Sequence, residues 1–362
     1  MLNKPAEAKH YRKLRFFKMN YPERISGTAE LEELLAVPSA RLIEMMTRLD
    51  GDIMILGIAG KMGVTMGRLA ANAIHSAGVS KKVFGVARFS NPEDREKLES
   101  WGIETIACDL LEQDAVRQLP RVKNIVFMAG RKFGTDGSEA QTWAMNVLAP
   151  AYVAEHFHDS RIVAFSTGCV YPLVGIGSCG CTEDVAPAPV GEYSQSCLGR
   201  ERIFQYYSAK HGTKLLLFRL NYSIDLRYGV LHDIARSIWE GRAVDNAVGY
   251  FNVIWQGDAN ADALLSLELA DCPAAVLNVT GPEIASVERT ALMLGRLMGK
   301  NVSFKGAPGD LCYLNNSAKM CRCLGYPSVS LEQMIRWQAD WIVNGGVSIG
   351  KPTHFEVNDG KF

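Results

Sequence analysis

The sequence predicts an α/β fold: a doubly wound parallel sheet with a smaller C-terminal lobe and an N-terminal helical extension. Two observations predict it. From Asp52 onward, short apolar, β-rich segments alternate with helical patterns, which implies parallel strands covered by helices on both faces. The first of those strands also runs straight into Gly57-Ile-Ala-Gly60-Lys-Met-Gly63, and a helical pattern follows. In that order the first glycine permits a tight turn, the second lets a pyrophosphate approach the main chain, and the third lets helix and strand pack closely. The unpaired N–H groups of the new helix then face the phosphates. Alone, such a string also fits an ordinary turn, and its neighbours must decide.

Residues 1–50 precede the loop. Leu31, Leu34 and Leu35 fall at helical spacing, as do Leu42, Met45, Met46 and Leu49 after the break at Pro38, so two helices with apolar faces on the main domain are expected. The nucleotide-binding domain is expected over 51–220, with strands at 53–56, 83–87, 104–108, 125–128, 162–165 and 215–218. Helices are expected at 142–157 and 197–210. Ligands in such sheets bind beyond the carboxyl ends of the strands, where Gly57, Arg88, Asp109, Gly130, Ser166 and Thr167 fall. Residues 221–345 read mainly as a substrate lobe. Within it a strand at 276–279 returns to the sheet, and helices follow at 287–298 and 331–343. Residues 346–362 form a tail.

Composition narrows the function. Of the 362 residues, 48% are hydrophobic and 22% charged, the proportions of an ordinary globular protein. Lys plus Arg (39) balances Asp plus Glu (39), so no basic field invites nucleic acid or anionic lipid. The first residues are polar and basic without the apolar core of a secretory signal, and no apolar run reaches membrane-spanning length. A cytoplasmic protein without nucleic-acid or membrane partners is expected, and its nine cysteines read as free thiols. Cys179/Cys181 and Cys321/Cys323 lack the spacing of structural zinc, so no metal is expected. His156 and His158 read as helix surface.

Chemistry concentrates at the strand ends. The second strand closes on Ala87-Arg88, with no carboxylate where a ribose 2′-hydroxyl would be bound. An Arg there accommodates a 2′-phosphate, favouring NADP over NAD, although a solvated surface Arg reads the same. Asp109, followed by Leu110, belongs beside the adenine or caps a helix. The fourth strand leads through Ala129-Gly130 into a basic loop, Arg131-Lys132. The fifth leads into Ser166-Thr167-Gly168-Cys169-Val170-Tyr171, and Tyr193 heads a helical segment further on.

Together these segments resemble the extended short-chain dehydrogenase/reductase family, also called the NAD-dependent epimerase/dehydratases. The resemblance runs from about residue 52 to about residue 343. It takes in the glycine loop, Asp109, Ala129-Gly130, Asn146, Ser-Thr-x-x-Val-Tyr, the Tyr193 helix, Arg219-Leu-Asn221 and Asn278-Val-Thr-Gly281. It implies a Rossmann domain binding NAD(P), a C-terminal lobe binding a sugar or sugar nucleotide, and hydride transfer at a carbinol carbon. It implies Tyr193 as general acid/base, with Thr167 and Ser166 orienting the reacting oxygen. Cofactor contacts are implied for Gly57, Gly60, Lys61, Met62, Gly63, Arg88, Asp109, Leu110, Ala129, Gly130, Asn146, Tyr193 and Asn221. Substrate contacts are expected from Arg131, Arg227, Tyr228, His232 and Gln256.

Two departures matter. The family's tyrosine is usually followed four residues later by a lysine that binds the nicotinamide ribose and lowers the phenol pKa; here that position is Cys197. Lys132 and Arg131 are the candidate replacements. Members that eliminate water commonly carry Asp-Glu after the active-site Thr, whereas this chain has Gly168-Cys169, which disfavours a sugar 4,6-dehydratase. Two functions stay open: an NAD(P)-dependent oxidoreductase or epimerase acting on a carbohydrate, and a catalytically silent NAD(P)-binding regulator or scaffold. The outward surfaces of the helices near 142–157 and Tyr193 are the ones relatives often use to form a homodimer.

Overall fold

The computed structural model describes residues 21–132, 137–357 and 360. Its centre is a seven-stranded sheet: β1 (Ile53–Leu56), β2 (Val83–Ala87), β3 (Glu104–Ala107), β4 (Asn124–Phe127), β5 (Arg161–Thr167), β6 (Lys214–Leu220) and β7 (Ala275–Val279). The order is β7-β6-β5-β4-β1-β2-β3, and every pairing is parallel. Strand order reverses at β1, between β4 and β2, and this switch point opens a crevice at the carboxyl ends. Both β1 and β4 are buried along their whole length. Alternate residues serve the two faces: Ile53, Ile55 and Val126 join one core, and Met54, Leu56, Ile125 and Phe127 the other. This two-sided burial is why these strands read as continuous apolar runs.

The extension forms two helices, α1 (Thr28–Leu34) and α2 (Ala40–Arg48). Ser39 caps α2, its hydroxyl accepting from the Leu42 N–H at 3.2 Å. The α2 side chains Leu42, Met45 and Met46 are fully buried in the sheet core beside Ile53 and Met66, each contributing about 2 kcal/mol of hydrophobic stabilisation. Contrary to the expectation that both helices pack on the main domain, α1 serves the C-terminal lobe. Leu31 and the following Leu35 join Val230, Ile234, Trp255 and Trp337. The first twenty residues of the expected extension lie outside the described residues.

The segment expected as one helix over 142–157 is three pieces: α3 (Glu139–Trp143), a π-helical turn (Ala144–Leu148) and α4 (Ala149–His156). Pro150 has no N–H to give the Asn146 carbonyl four residues back, and Arg200 Nε donates to that carbonyl at 3.4 Å instead. His156 is buried rather than on the helix surface. Its Nε2 meets the Leu119 carbonyl at 2.9 Å and its ring packs edge-on against Phe157.

The helix α5 (Gly191–His211) joins the pattern expected at 197–210 to the helical segment that Tyr193 heads, and Tyr193 lies in its first turn. The C-terminal lobe is built from α6 (Val230–Trp239), α8 (Val287–Met298) and α9 (Leu331–Val343) around Trp255 and Trp337. Between them α7 (Gln256–Leu265) packs on the helix after the glycine loop, and β7 pairs with β6. No described helix is long and apolar enough to cross a membrane.

Candidate functional site

The glycine loop leaves β1 at Gly57, whose φ of +94° is the left-handed region that favours glycine. A Cβ there would stand 2.7 Å from the Ala129 nitrogen. The loop tightens as Gly60 donates to the Gly57 carbonyl at 3.0 Å and Gly63 to the Gly60 carbonyl at 2.9 Å. A Cβ on Gly63 would lie 2.3 Å from the Ile58 carbonyl oxygen, so only glycine lets helix Gly63–Ala77 start so close to the strand. No side chain caps that helix, and an uncapped helix start of this kind suits an anion.

Two cavities meet at the end of β4. One, of about 360 Å³, is lined by Gly57, Gly60, Arg88, Asp109, Leu110 and Ala129 among others. The other, of about 240 Å³, is lined by Lys61, Lys132, Thr167, Tyr193, Asn221 and Tyr228 among others. Met128 and Gly130 line both, so the crevice is continuous from the β2 end to Tyr193. An uncapped helix start between two such cavities, floored by glycines that no Cβ could replace, suits an elongated dinucleotide with its pyrophosphate in the middle. Arg88 stands at the far rim, 4.0 Å from the Asp109 carboxylate and largely exposed. The other Asp109 oxygen accepts from the Leu111 N–H at 3.0 Å.

At the near end, burial pushes the Tyr193 phenol well above its ordinary value of 10.0. The Cys197 and Cys169 thiols add to that rise, while Arg200 and a hydrogen bond from Thr167 oppose it. Cys197 is 1% exposed and burial pushes it up to about 11, so it is an uncharged thiol near neutral pH. It supplies no cation. The cation beside Tyr193 comes from the loop after β4: Lys132 Nζ stands 5.9 Å from the tyrosine ring centroid. Burial lowers the pKa of this lysine, and Arg131 lines the same cavity.

Asn146, expected as a cofactor contact, is fully buried and spends its amide on that loop. Its Oδ1 accepts from the Arg131 N–H at 2.9 Å and from Arg200 Nη2 at 2.6 Å. Its Nδ2 donates to the Arg131 carbonyl and to Ser196 Oγ, both at 2.9 Å. Gly130 admits the Arg200 guanidinium, since a Cβ there would stand 2.4 Å from Nη2. Ser166 is likewise engaged: its hydroxyl donates to Glu201 at 2.5 Å. Glu201 also accepts from Arg219 at 2.9 and 2.7 Å, Arg219 donates to the Tyr171 hydroxyl at 2.6 Å, and Tyr171 donates to Asn278 at 2.9 Å. The serine, the Val-Tyr tyrosine and the Arg-Leu-Asn arginine thus form one buried strut under the site.

Three expected substrate contacts do not line the crevice. Arg227 pairs with Asp225 at 2.7 Å and Glu32 at 3.1 Å, joining the extension to the lobe. His232 bridges the Leu226 carbonyl and Ser348, each at 2.9 Å. Gln256 is fully buried and donates to Thr65 at 3.1 Å. Arg131, Tyr228 and Asn221 do line it, although the Asn221 amide donates to Asn252 at 2.9 Å. Residues that sequence reasoning missed also line the cavity: Cys169, Arg200, Tyr222 and Thr353. Arg200 follows Tyr193 by seven residues, two helical turns along the same face, a signal that could have found it. Tyr222 is held at φ 45°, in a region non-glycine residues seldom occupy. Thr353 arrives from the tail, which carries no motif.

Comparisons with known proteins agree with this fold. In overall fold the chain is similar to UDP-glucuronic acid 4-epimerase from Bacillus cereus, with TM-score 0.66 and 18% identity over 80% of this chain and 98% of that one. It is also similar to UDP-glucose 4-epimerase from Thermotoga maritima, with TM-score 0.64 and 17% identity over 80% and 98%. A third similar structure is a putative epimerase from Burkholderia cenocepacia, with TM-score 0.64 and 20% identity over 82% and 99%. No curated protein matches the sequence. Residues 53–224, the segment that carries the glycine loop, Thr167 and Tyr193, match the model of the NAD dependent epimerase/dehydratase family.

Proposed function

We propose that the protein is an NAD(P)-dependent oxidoreductase or epimerase acting on a hydroxyl-bearing carbon of a sugar, sugar acid or nucleotide sugar. The observation that carries this reading is Lys132, a cation beside the Tyr193 ring in a chain whose helix has Cys197 where the family usually has its lysine. Similar folds were solved with NAD and UDP-glucuronic acid or UDP-glucose bound, which supports the same substrate classes here. When bound, the nicotinamide takes up or returns the hydride.

The chain's own residues do the rest. Thr167 holds the reacting hydroxyl in line with Tyr193. Burial keeps the phenol protonated at rest, so Tyr193 readily gives a proton to a developing alkoxide. To accept one it needs a positive charge nearby, which Lys132 and Arg200 supply. Asn146 fixes the Lys132 loop through both polar groups of Arg131. Cys169, buried and with its pKa raised, offers no carboxylate for elimination, which is why 4,6-dehydration is left out of the reading.

NADP is the proposed nucleotide, with Arg88 on its 2′-phosphate. Nine cysteines that are all free support a reducing, cytoplasmic location. Trp143, Leu148 and, on α5, Tyr206 are exposed, which supports a homodimer through those helices. Steady-state turnover across a panel of sugars and UDP-sugars tests the function: activity abolished by Tyr193→Phe supports the enzyme. Tight nucleotide binding without turnover on any of them would favour the silent regulator instead.

A further inference from the structure

Lys61 sits inside the glycine loop, yet its side chain lines the cavity of Tyr193 rather than that of Arg88 and Asp109. Its ammonium lies 3.3 Å from the centroid of the Tyr228 ring. Among the described residues it makes no hydrogen bond or ion pair. The acids whose charge it feels most are committed elsewhere. Asp225 is held by Arg227 at 2.7 Å, and Asp233 accepts from the Thr353 N–H at 2.7 Å and hydroxyl at 2.6 Å. A second lysine, Lys132, lines the same cavity, and no carboxylate does among the described residues.

A second observation points the same way. Ser223 also lines this cavity, is 7% exposed, and its hydroxyl has no hydrogen-bond partner. A buried hydroxyl left unpaired is destabilising, and a bound acceptor would remove that cost. An unpaired ammonium set over an aromatic face and an unpaired hydroxyl donor together complement a small oxyanion.

We infer that Lys61 and Ser223 seat a carboxylate of the substrate, so that the protein acts on acidic sugars. This rests on the catalytic reading above and adds the substrate class to it. The carboxylate accepts from the lysine ammonium and the serine hydroxyl, while the carbinol lies between Thr167 and Tyr193. The cofactor's pyrophosphate is the competing anion for Lys61, and the experiment separates the two.

Glucuronate and galacturonate, free and as UDP esters, are compared with their neutral counterparts in the NAD(P)-saturated protein. Turnover is read in the parent. Binding is read by calorimetry in Tyr193→Phe, which needs no chemistry. The acidic member of each pair is expected to be preferred, and Lys61→Met to cut its kcat/KM and affinity about tenfold or more beyond any change it makes for the neutral sugar or NAD(P). Ser223→Ala, a milder change that guards against misfolding of the lysine variant, is expected to cost the acid about threefold or more. Equal binding of acidic and neutral sugars, or a Lys61→Met loss confined to NAD(P), would overturn the inference. Lys61-dependent binding of the acid with no turnover would sink the catalytic reading and leave the carboxylate seat standing.

Discussion

The Lys132 ammonium stands 5.9 Å from the centroid of the Tyr193 ring, and it approaches from the loop after β4 rather than from the helix that bears the tyrosine. Cys197, one helical turn beyond Tyr193, is a buried neutral thiol. On the proposed reading, the charge that stabilises a phenolate comes from across the cavity instead of from the tyrosine's own helix. Lys132→Met is expected to lower kcat/KM by about 10²-fold or more, and Lys132→Arg to retain most of it. Removing the cation makes the phenolate harder to form, so the ascending limb of the pH–rate profile, where Tyr193 gives up its proton, moves to higher pH. A variant with reduced activity and an unmoved profile would assign Lys132 a structural role only.

The buried pair Glu201–Arg219 holds Ser166 and Tyr171 beneath the site. Glu201→Gln leaves the Arg219 guanidinium without its counter-charge in a site where it is 4% exposed. Breaking one side of such a pair costs about 3–5 kcal/mol. Chemical denaturation at neutral pH reads the loss, and an unchanged midpoint would show that the pair is dispensable.

Lys61 opposes stability in the absence of ligand. Burial is the largest cause that pulls its pKa from 10.5 to about 7, helped by the charges of Lys132 and Arg227 and opposed by Asp225 and Asp233. The unfolded chain then binds the extra proton more tightly between about pH 7 and 10.5. The folded state is penalised most below that window and is relieved as pH rises through it. Lys61→Met is therefore expected to raise Tm at pH 7, with the gain shrinking towards pH 10. A gain that grew with pH would contradict the assignment.

Arg88 lines the cavity beyond β2, with Asp109 its nearest charge at 4.0 Å. Arg88→Ala is expected to weaken NADP binding by about tenfold or more and to leave NAD nearly unaffected. Fluorescence titration with each nucleotide measures this. Equal losses for both would place the guanidinium away from the 2′-phosphate.

The parts of this molecule legible in the sequence are those where one residue's local role is also its global one. Gly57 and Gly63 must be glycines for backbone reasons alone, and β1 is apolar throughout because both its faces are covered. Periodicity could not show that Pro150 and Arg200 turn the middle of a helix into a π turn, because the causes lie fifty residues apart. Nor could it separate substrate contacts from internal ties. Arg227, His232 and Gln256 carry polar groups suited to a ligand, yet each is consumed by a partner far along the chain. Lys61 shows the reverse: a loop position where the backbone was expected to do the work sends its side chain into the cavity of Tyr193.

The most direct test of the account is a single-turnover measurement of nicotinamide absorbance in the nucleotide-loaded protein after UDP-glucuronate or UDP-galacturonate is added. The account predicts transient or net reduction of the bound nicotinamide in the parent, none in Tyr193→Phe, and a strongly slowed signal in Lys132→Met. Binding of both nucleotide and sugar acid with no absorbance change in the parent would contradict it.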